Sequence, residues 1–256
     1  MASDPLIVEI RGPVSWIVLN RPERLNAFST ELGREALEAL RRALREVDTR
    51  VVVLTGKGRA LSVGADLTEV AADPDPAGRI DIMATIAHQA IAEIRQADKP
   101  VIAAINQQTA GYGTALALAC DIRVATERVR LHYAYSRIGL TGDGAINYFL
   151  PRMVGISRAL DIALTGDFID EQEARKFGIV SHFFPEETFL DDTQALAERV
   201  AAVPPKAAAA IKRMMYASHH ADLLAHLAGE KATLTEMAGA PHLLELIRRF
   251  QEPSSG

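Results

Sequence analysis

Two glycine turns are the parts of this sequence best suited to chemistry. Gly64-Ala65-Asp66-Leu67 follows an apolar run that begins at Val51, and Gly111-Tyr112-Gly113 follows another that begins at Val101. Glycine lets the backbone come close to a ligand and present its N–H groups, and a helix N-terminus adds partial positive charge. Two such turns that converge would make an oxyanion hole, a pair of backbone donors aimed at a developing negative oxygen. Taken singly, each is more often a plain strand-to-helix turn. Neither has the GxGxxG or GxxxxGKS/T spacing of a nucleotide loop.

The titratable candidates are His88, Asp143, Tyr135, Asp66 and the adjacent His219 and His220. His88 stands in a helical stretch among Ile86, Ile91 and Ile94, where a lone histidine is usually a core or helix-surface group. Asp143 lies in Gly139-Leu-Thr-Gly-Asp-Gly144, and its plain role there is to cap a helix from Ala145 onward. His219 and His220 lack a Cys, Asp or Glu partner at ligand spacing, so the sequence predicts no metal site. Cys120 reads as a small core residue, and there is no GxSxG elbow.

These residues need elements to hold them. Leu6–Ile10 and Val14–Asn20 are β-branched runs on either side of Gly12-Pro13, a hairpin pattern. From Ser29 the period changes: Leu37, Leu40, Leu44 and Val47 line one helical face, with Ser29 or Thr30 as the cap. Val51–Leu54 and Val101–Ile105 are continuous apolar runs that suit strands buried on both faces. Two prolines in Asp73–Gly78 predict a mobile loop over 71–78, followed by a helix from about Ile80 to Gln96. A helix over Thr114–Ala119 leads to a strand over Asp121–Ala125. The order of buried strand, glycine turn and helix predicts an α/β fold with function at the strand-to-helix turns. The second half is mostly helical, with a capping-box-like start at Asp170 and a break at Pro204-Pro205.

Composition bounds the partners. Among 256 residues, 28 Lys and Arg face 33 Asp and Glu, a net charge of −5, which argues against a mainly electrostatic nucleic-acid or membrane-surface binder. One cysteine excludes an internal disulfide. No secretory signal or membrane span is visible, so the expected setting is the reducing cytoplasm.

Several collinear segments resemble the crotonase, or enoyl-CoA hydratase/isomerase, superfamily. Asn20–Ala27 (NRPERLNA) is similar to its early coenzyme A segment, and Val53–Leu67 to its first oxyanion strand and turn. Lys99–Asn106, continuing through Ala110–Gly113 to Ala119–Ile122, is similar to its second. Ile138-Gly-Leu, Leu150–Gly155, Leu164–Gly166 and Glu173–Val180 follow in register.

The resemblance implies a spiral core of repeated ββα units over residues 1–195 and a helical C-terminal region over 196–256 that joins chains as trimers or dimers of trimers. It implies an acyl thioester of coenzyme A as substrate and no separate cofactor. By position the oxyanion donors are the backbone N–H groups of Ala65 and Tyr112, while Arg24, Leu25, Ala27, Asp66, Leu67 and Thr68 contact coenzyme A. Tyr112 departs from the family, which usually has glycine there. The two glutamates of the family's hydratases fall on Ala115 and Tyr135, so hydration by paired carboxylates is not expected. Asp143 matches the aspartate of members that shift a double bond, and that of the aryl-CoA dehalogenases, whose histidine matches His88. Asp143, His88 and Tyr135 form the expected catalytic set, although those dehalogenases carry Trp where Tyr135 stands. The leading expectation is double-bond isomerisation. A dehalogenase or hydrolase, an atypical hydratase and an acyl-CoA-binding protein without catalysis stay open.

Overall fold

The computed structural model describes residues 4–239 and 243–251. The chain divides into two compact units, residues 1–202 and 203–256. The first unit opens with a hairpin, β1 (Leu6–Arg11) and β2 (Val14–Leu19), then α1 (Thr30–Arg45). Three turns of one repeat follow. The first is β3 (Val51–Gly56), β4 (Ala60–Ser62) and α2 (Leu67–Ala72), with α3 (Pro76–Gln96) after it. The second is β5 (Val101–Ile105), β6 (Gln108–Ala110) and α4 (Tyr112–Ala119). The third is β7 (Ile122–Thr126) and β8 (Arg130–His132), closed by a single 3₁₀ turn at Tyr135–Ile138. The unit ends with α5 (Ile146–Val154), α6 (Ile156–Thr165), β9 (Phe168–Ile169), α7 (Glu171–Lys176), β10 (His182–Phe184) and α8 (Phe189–Ala201).

Among the described residues the first strand of each repeat joins one sheet, in the order β1-β2-β3-β5-β7-β10, and the second strand joins another, β4-β6-β8-β9. β2, β3, β5, β7 and β10 run parallel, as do β4, β6 and β8. This is the α/β fold that the sequence pattern predicts, in the spiral of ββα units that the family resemblance implies. The apolar runs explain the larger sheet. Val52, Leu54, Val101 and Ala103 pack on one side with Leu37, Leu40, Ile91 and Ile94, while Val51, Val53, Ile102 and Ala104 pack on the other with Leu196 and Ala197 of α8. Alternate side chains of a strand point to opposite faces, so a strand with cores on both sides needs apolar residues throughout.

One expectation fails. The loop expected over 71–78 shrinks to residues 73–75: α2 runs to Ala72 and α3 begins at Pro76. Proline is tolerated at the first helical position, where its missing N–H has no partner to lose, and the Asp75 carboxylate caps the helix by accepting from Gly78 N–H. Ser29 and Asp170 cap α1 and α7, each by accepting an N–H three residues on.

The second unit contains α9 (Pro205–Ala217), α10 (Leu223–Ala238) and α11 (Leu243–Gln251). Ile211, Met215, Leu223, Leu224, Leu234 and Leu244 are exposed on it. The expected boundary at 195/196 falls inside α8, while the observed division follows that helix. Residues 240–242 and 252–256 of the expected C-terminal region lie outside the described residues.

Candidate active site

The two glycine turns meet. A Cβ on Gly64 would stand 3.1 Å from the Tyr112 nitrogen and 3.1 Å from the Ala110 carbonyl, so even a methyl group would require the second turn to give by a few tenths of an ångström. Gly64 and Gly111 have φ of +89° and +52°, a region that favours glycine. Hydrogen bonds stitch the turns together from behind. The buried Ser62 hydroxyl accepts from Gly64 N–H at 3.1 Å and donates to the Asn26 carbonyl at 2.8 Å. The Thr109 hydroxyl donates to the Ser62 carbonyl at 3.0 Å.

Two backbone N–H groups of this scaffold, those of Ala65 and Tyr112, have no hydrogen-bond partner among the described residues. Phe28 and Ala65 form a parallel bridge in which Phe28 N–H donates to Gly64 and Asp66 N–H donates to Phe28. The Ala65 N–H takes no part in that ladder, and Ala65 is exposed. Tyr112 is the first residue of α4, whose opening N–H groups have no partner within the helix. Its side chain turns into the core and meets Phe28 edge to face, with ring centroids 4.9 Å apart. Burial, and then the charge of Asp143, push the Tyr112 phenol far above its usual range. The tyrosine in place of the family's glycine therefore packs rather than ionises.

Asp143 arrives from the loop before α5. Gly144 and Ala145 both have positive φ, +59° and +61°, and for alanine this is a strained conformation of the kind that clusters at functional sites. A Cβ on Gly144 would come within 2.9 Å of both the Ala115 Cβ and the Tyr112 ring. The loop thus presses against the first turn of α4, and the space beside Ala115 is filled by Gly144. The Asp143 side chain does not cap α5. Its Oδ1 lies 2.6 Å from His88 Nε2, with the carboxylate 29% exposed and the imidazole 62% exposed. His88 is on the open face of α3, whereas Ala87, Ile91 and Ile94 are buried.

Ala65, Tyr112 and Asp143 border one cavity of about 60 Å³. Tyr135 is not in its wall. Burial and the Asp143 charge hold its phenol well above the usual range, and its hydroxyl lies beside the Asp143 backbone without a hydrogen bond of ordinary geometry.

The residues expected at coenzyme A divide into free and committed groups. Arg24 Nη1 donates to the Thr68 hydroxyl at 3.2 Å, which joins the two segments, and Leu67 is half exposed. Ala27 is buried, and its carbonyl accepts from Arg21. The Asp66 carboxylate caps α2 at Thr68 N–H and pairs with Arg21 at 3.2 Å, so its oxygens are taken by the protein. Leu25 and Asn26 are consecutive left-handed residues, and the buried Asn26 amide spans from Arg21 N–H to the Lys57 and Ala60 carbonyls. Sequence reasoning missed Arg21, Asn26, Ser62 and Gly144. The flanking glycines of Gly142-Asp-Gly144 were a visible signal for the last, whereas nothing local marks Ser62. Among the described residues no trio of His, Cys, Asp or Glu is placed to hold a metal.

The sequence matches the enoyl-CoA hydratase/isomerase family over residues 9–255, so the chain belongs to this crotonase-type family. A 4-chlorobenzoyl coenzyme A dehalogenase of an Arthrobacter species is 32% identical over 246 residues, 95% of this chain and 89% of that one. The 1,2-epoxyphenylacetyl-CoA isomerase of Escherichia coli is 33% identical over 201 residues, 78% of this chain and 77% of that one. The crystal structure of an enoyl-CoA hydratase from Bacillus anthracis superposes with a TM-score of 0.90 at 30% identity, covering 97% and 96% of the two chains. The chain is an acyl-CoA enzyme of this family, and its relatives run three reactions on one scaffold. Among the described residues no helix is long and apolar enough to cross a membrane.

Proposed function

We propose that the protein isomerises the double bond of an enoyl-CoA, with Asp143 as the proton carrier. The observation that carries this reading is the single carboxylate in the cavity wall, held by His88 on one oxygen, in a cavity that Ala65 and Tyr112 also border. A carbon next to a thioester carbonyl gives up a proton only if the resulting enolate is stabilised. The Ala65 and Tyr112 N–H groups would meet that charge, and losing one such donor typically costs about 2.7–4 kcal/mol of barrier. The second Asp143 oxygen takes a proton from one carbon of the acyl chain and returns it to another, so no proton or water is consumed. His88, donating from Nε2, would keep the carboxylate aimed. Tyr135 stays a neutral phenol behind Asp143, a support for the loop rather than a base. Arg24, Leu25 and the α2 residues Leu67 and Thr68 would border coenzyme A, and the exposed apolar side chains of α9 to α11 would be covered in a homotrimer or a dimer of trimers.

Paired-glutamate hydration fits poorly, since Ala115 and Tyr135 supply no carboxylate. A second reading, nucleophilic displacement on an aryl-CoA by Asp143 with His88 activating water, draws on the same pair and on the dehalogenase relative. Against it, the 2.6 Å contact leaves no place for water between the imidazole and the carboxylate. The test is Asp143→Asn assayed by the absorbance of the conjugated product from a 3-enoyl-CoA. We expect kcat to fall about 10²- to 10⁴-fold, the usual worth of a positioned base. Unchanged turnover would overturn the isomerase reading, and solvent oxygen incorporated into Asp143 during single turnover of an aryl-CoA would establish the second.

A further inference from the structure

The helix that follows the Ala65 turn is too short to hold itself. α2 has six residues and one buried side chain, Val70, whereas isolated helices under about 12 residues are marginal in water. Glu69, its third residue, ties it to two longer helices. Oε2 accepts from Thr30 N–H at 2.9 Å, and Oε1 accepts from the Thr30 hydroxyl at 2.6 Å and from Arg79 Nη1 at 3.1 Å. Arg79, near the start of α3, also donates to the Thr30 hydroxyl oxygen at 3.2 Å. Its other end pairs at 2.7 Å with Asp73, the residue that ends α2. The first turns of α1 and α3 thus meet α2 on one carboxylate, a charge that the positive end of the α1 dipole favours.

The bond from Thr30 N–H has a particular place in the backbone. In the parallel bridge, Phe28 N–H donates to Gly64 and Asp66 N–H donates to Phe28. Parallel ladders are evenly spaced, so the next bond would run from Thr30 N–H to the Asp66 carbonyl. That carbonyl is already turned into α2, where it accepts from Glu69 N–H at 3.0 Å and Val70 N–H at 3.3 Å. The Glu69 carboxylate supplies the acceptor that the ladder loses where the helix begins. Ala65 is the bridge residue, and its own N–H points away from the ladder because successive residues of an extended segment alternate in direction. Whatever closes the ladder at its far end therefore helps to set where that N–H points. Ser29 and Thr30 also line the cavity that Ala65, Tyr112 and Asp143 border.

We infer that Glu69 is a positioning residue for the first oxyanion donor: its carboxylate extends the Phe28–Ala65 ladder and so holds the Ala65 N–H toward the thioester carbonyl. The inference rests on the reading of Ala65 and Tyr112 as oxyanion donors and is independent of which reaction follows. A glutamine at this position cannot do both jobs. With its oxygen toward Thr30 N–H, its amide NH2 faces the Arg79 donors; turned round, it loses the ladder bond.

The test reads the carbonyl itself. Full-length wild type, Glu69→Gln and Glu69→Ala are saturated with acetyl-CoA labelled at the carbonyl carbon, and the carbonyl stretch is followed by isotope-edited infrared difference spectroscopy. Hydrogen bonds to a carbonyl oxygen lower its stretching frequency, so the shift on binding reports the donors, and saturation removes differences in affinity. Circular dichroism and denaturant midpoints establish which variants are folded. The wild-type band should move down on binding. Glu69→Ala should lose about half of that shift, the share of one donor in two, and Glu69→Gln should lie between. A full shift in either folded variant overturns the inference and leaves Glu69 as a stabilising contact only. No shift in the wild type removes the oxyanion reading, and this inference falls with it, while Asp143→Asn still judges the isomerase reading.

Discussion

The two glycine turns do the same geometric job but are held by different forces. The second, Gly111–Gly113, is buried and opens α4, a helix whose every residue is buried. Packing presses on it, beside the bonds that Gly111 N–H and the Thr114 hydroxyl give to the His132 carbonyl: Tyr112 lies against Phe28, Ala115 against Gly144, and Gly113 directly on the Ser62 carbonyl. The first, Gly64–Asp66, carries the exposed Ala65 and is followed by a helix of one and a half turns with a single buried residue, Val70. Hydrogen bonds and charge fix it instead, through Ser62, Asn26, Arg21 and the Asp66 cap. The lesson is that the turn carrying Tyr112 belongs to the core, whereas the turn carrying Ala65 belongs to the segment expected to hold coenzyme A. Close packing tolerates little, because interiors are filled to crystal-like density, while a polar network loses strength one bond at a time.

That contrast can be broken most sharply at Gly113. An alanine there would place its Cβ 2.2 Å from the Ser62 carbonyl oxygen and 2.8 Å from the Thr109 hydroxyl. The nearer atom is backbone, so a rotamer change cannot relieve the clash. Overpacking typically costs about 1–3 kcal/mol and occasionally more, and Gly113→Ala is expected at or above the top of that range in denaturant unfolding. A loss under about 0.5 kcal/mol, the level of an ordinary surface change, would show that the second turn is not held by packing.

Ser62→Ala probes the polar side of the contrast with a smaller effect. It leaves the Gly64 N–H and the Asn26 carbonyl without their buried partner, a loss of about 1–3 kcal/mol in stability. On the role proposed for the Ala65 N–H, which this turn positions, kcat should fall as well, by less than the roughly 10²- to 10³-fold that follows removal of an oxyanion donor outright. KM should change little. A rise in KM with kcat unchanged would mean that the turn serves ground-state binding and not the transition state.

The sequence made the packing half of this contrast more legible than the polar half. Val51–Leu54 and Val101–Ile105 announced a doubly covered sheet because both faces of a buried strand must be apolar, and the glycines of both turns stood out as backbone-limited positions. Asp143 and His88 lie 55 residues apart, and their meeting was legible only through the family resemblance. No local pattern brings a loop aspartate to a helical histidine, since that contact depends on Gly144 fitting against Ala115. Ser62 and Asn26 were opaque for the same reason: a buried polar residue looks like any other serine or asparagine until its partners are known. The error at 71–78 came from reading Pro76 as a breaker when Asp75 before it made it a start.

Asp66 offers the smallest and most specific test. Burial alone would raise its carboxyl pKa, but hydrogen bonds from Thr68 and Arg21, with the nearby Arg21 charge, outweigh burial and leave it below the ordinary value. A carboxylate with a depressed folded pKa stabilises the fold at pH values above the unfolded value of about 3.9, and that contribution is lost as pH falls through the folded pKa. Asp66→Asn keeps a side-chain oxygen that can still cap Thr68 N–H, since asparagine and aspartate are similar caps. What it removes is the charge toward Arg21, an effect of about 1 kcal/mol or less for a partly exposed pair. The variant should therefore be slightly less stable near neutral pH, and the two proteins should converge in denaturant midpoint as the solution is taken below the ordinary aspartate range. The same acid titration of a second-turn packing variant, such as Gly113→Ala, should run parallel to the wild type at a fixed offset. Convergence in one turn and a fixed offset in the other would separate a turn held by charge from a turn held by packing, and a fixed offset in both would erase the distinction.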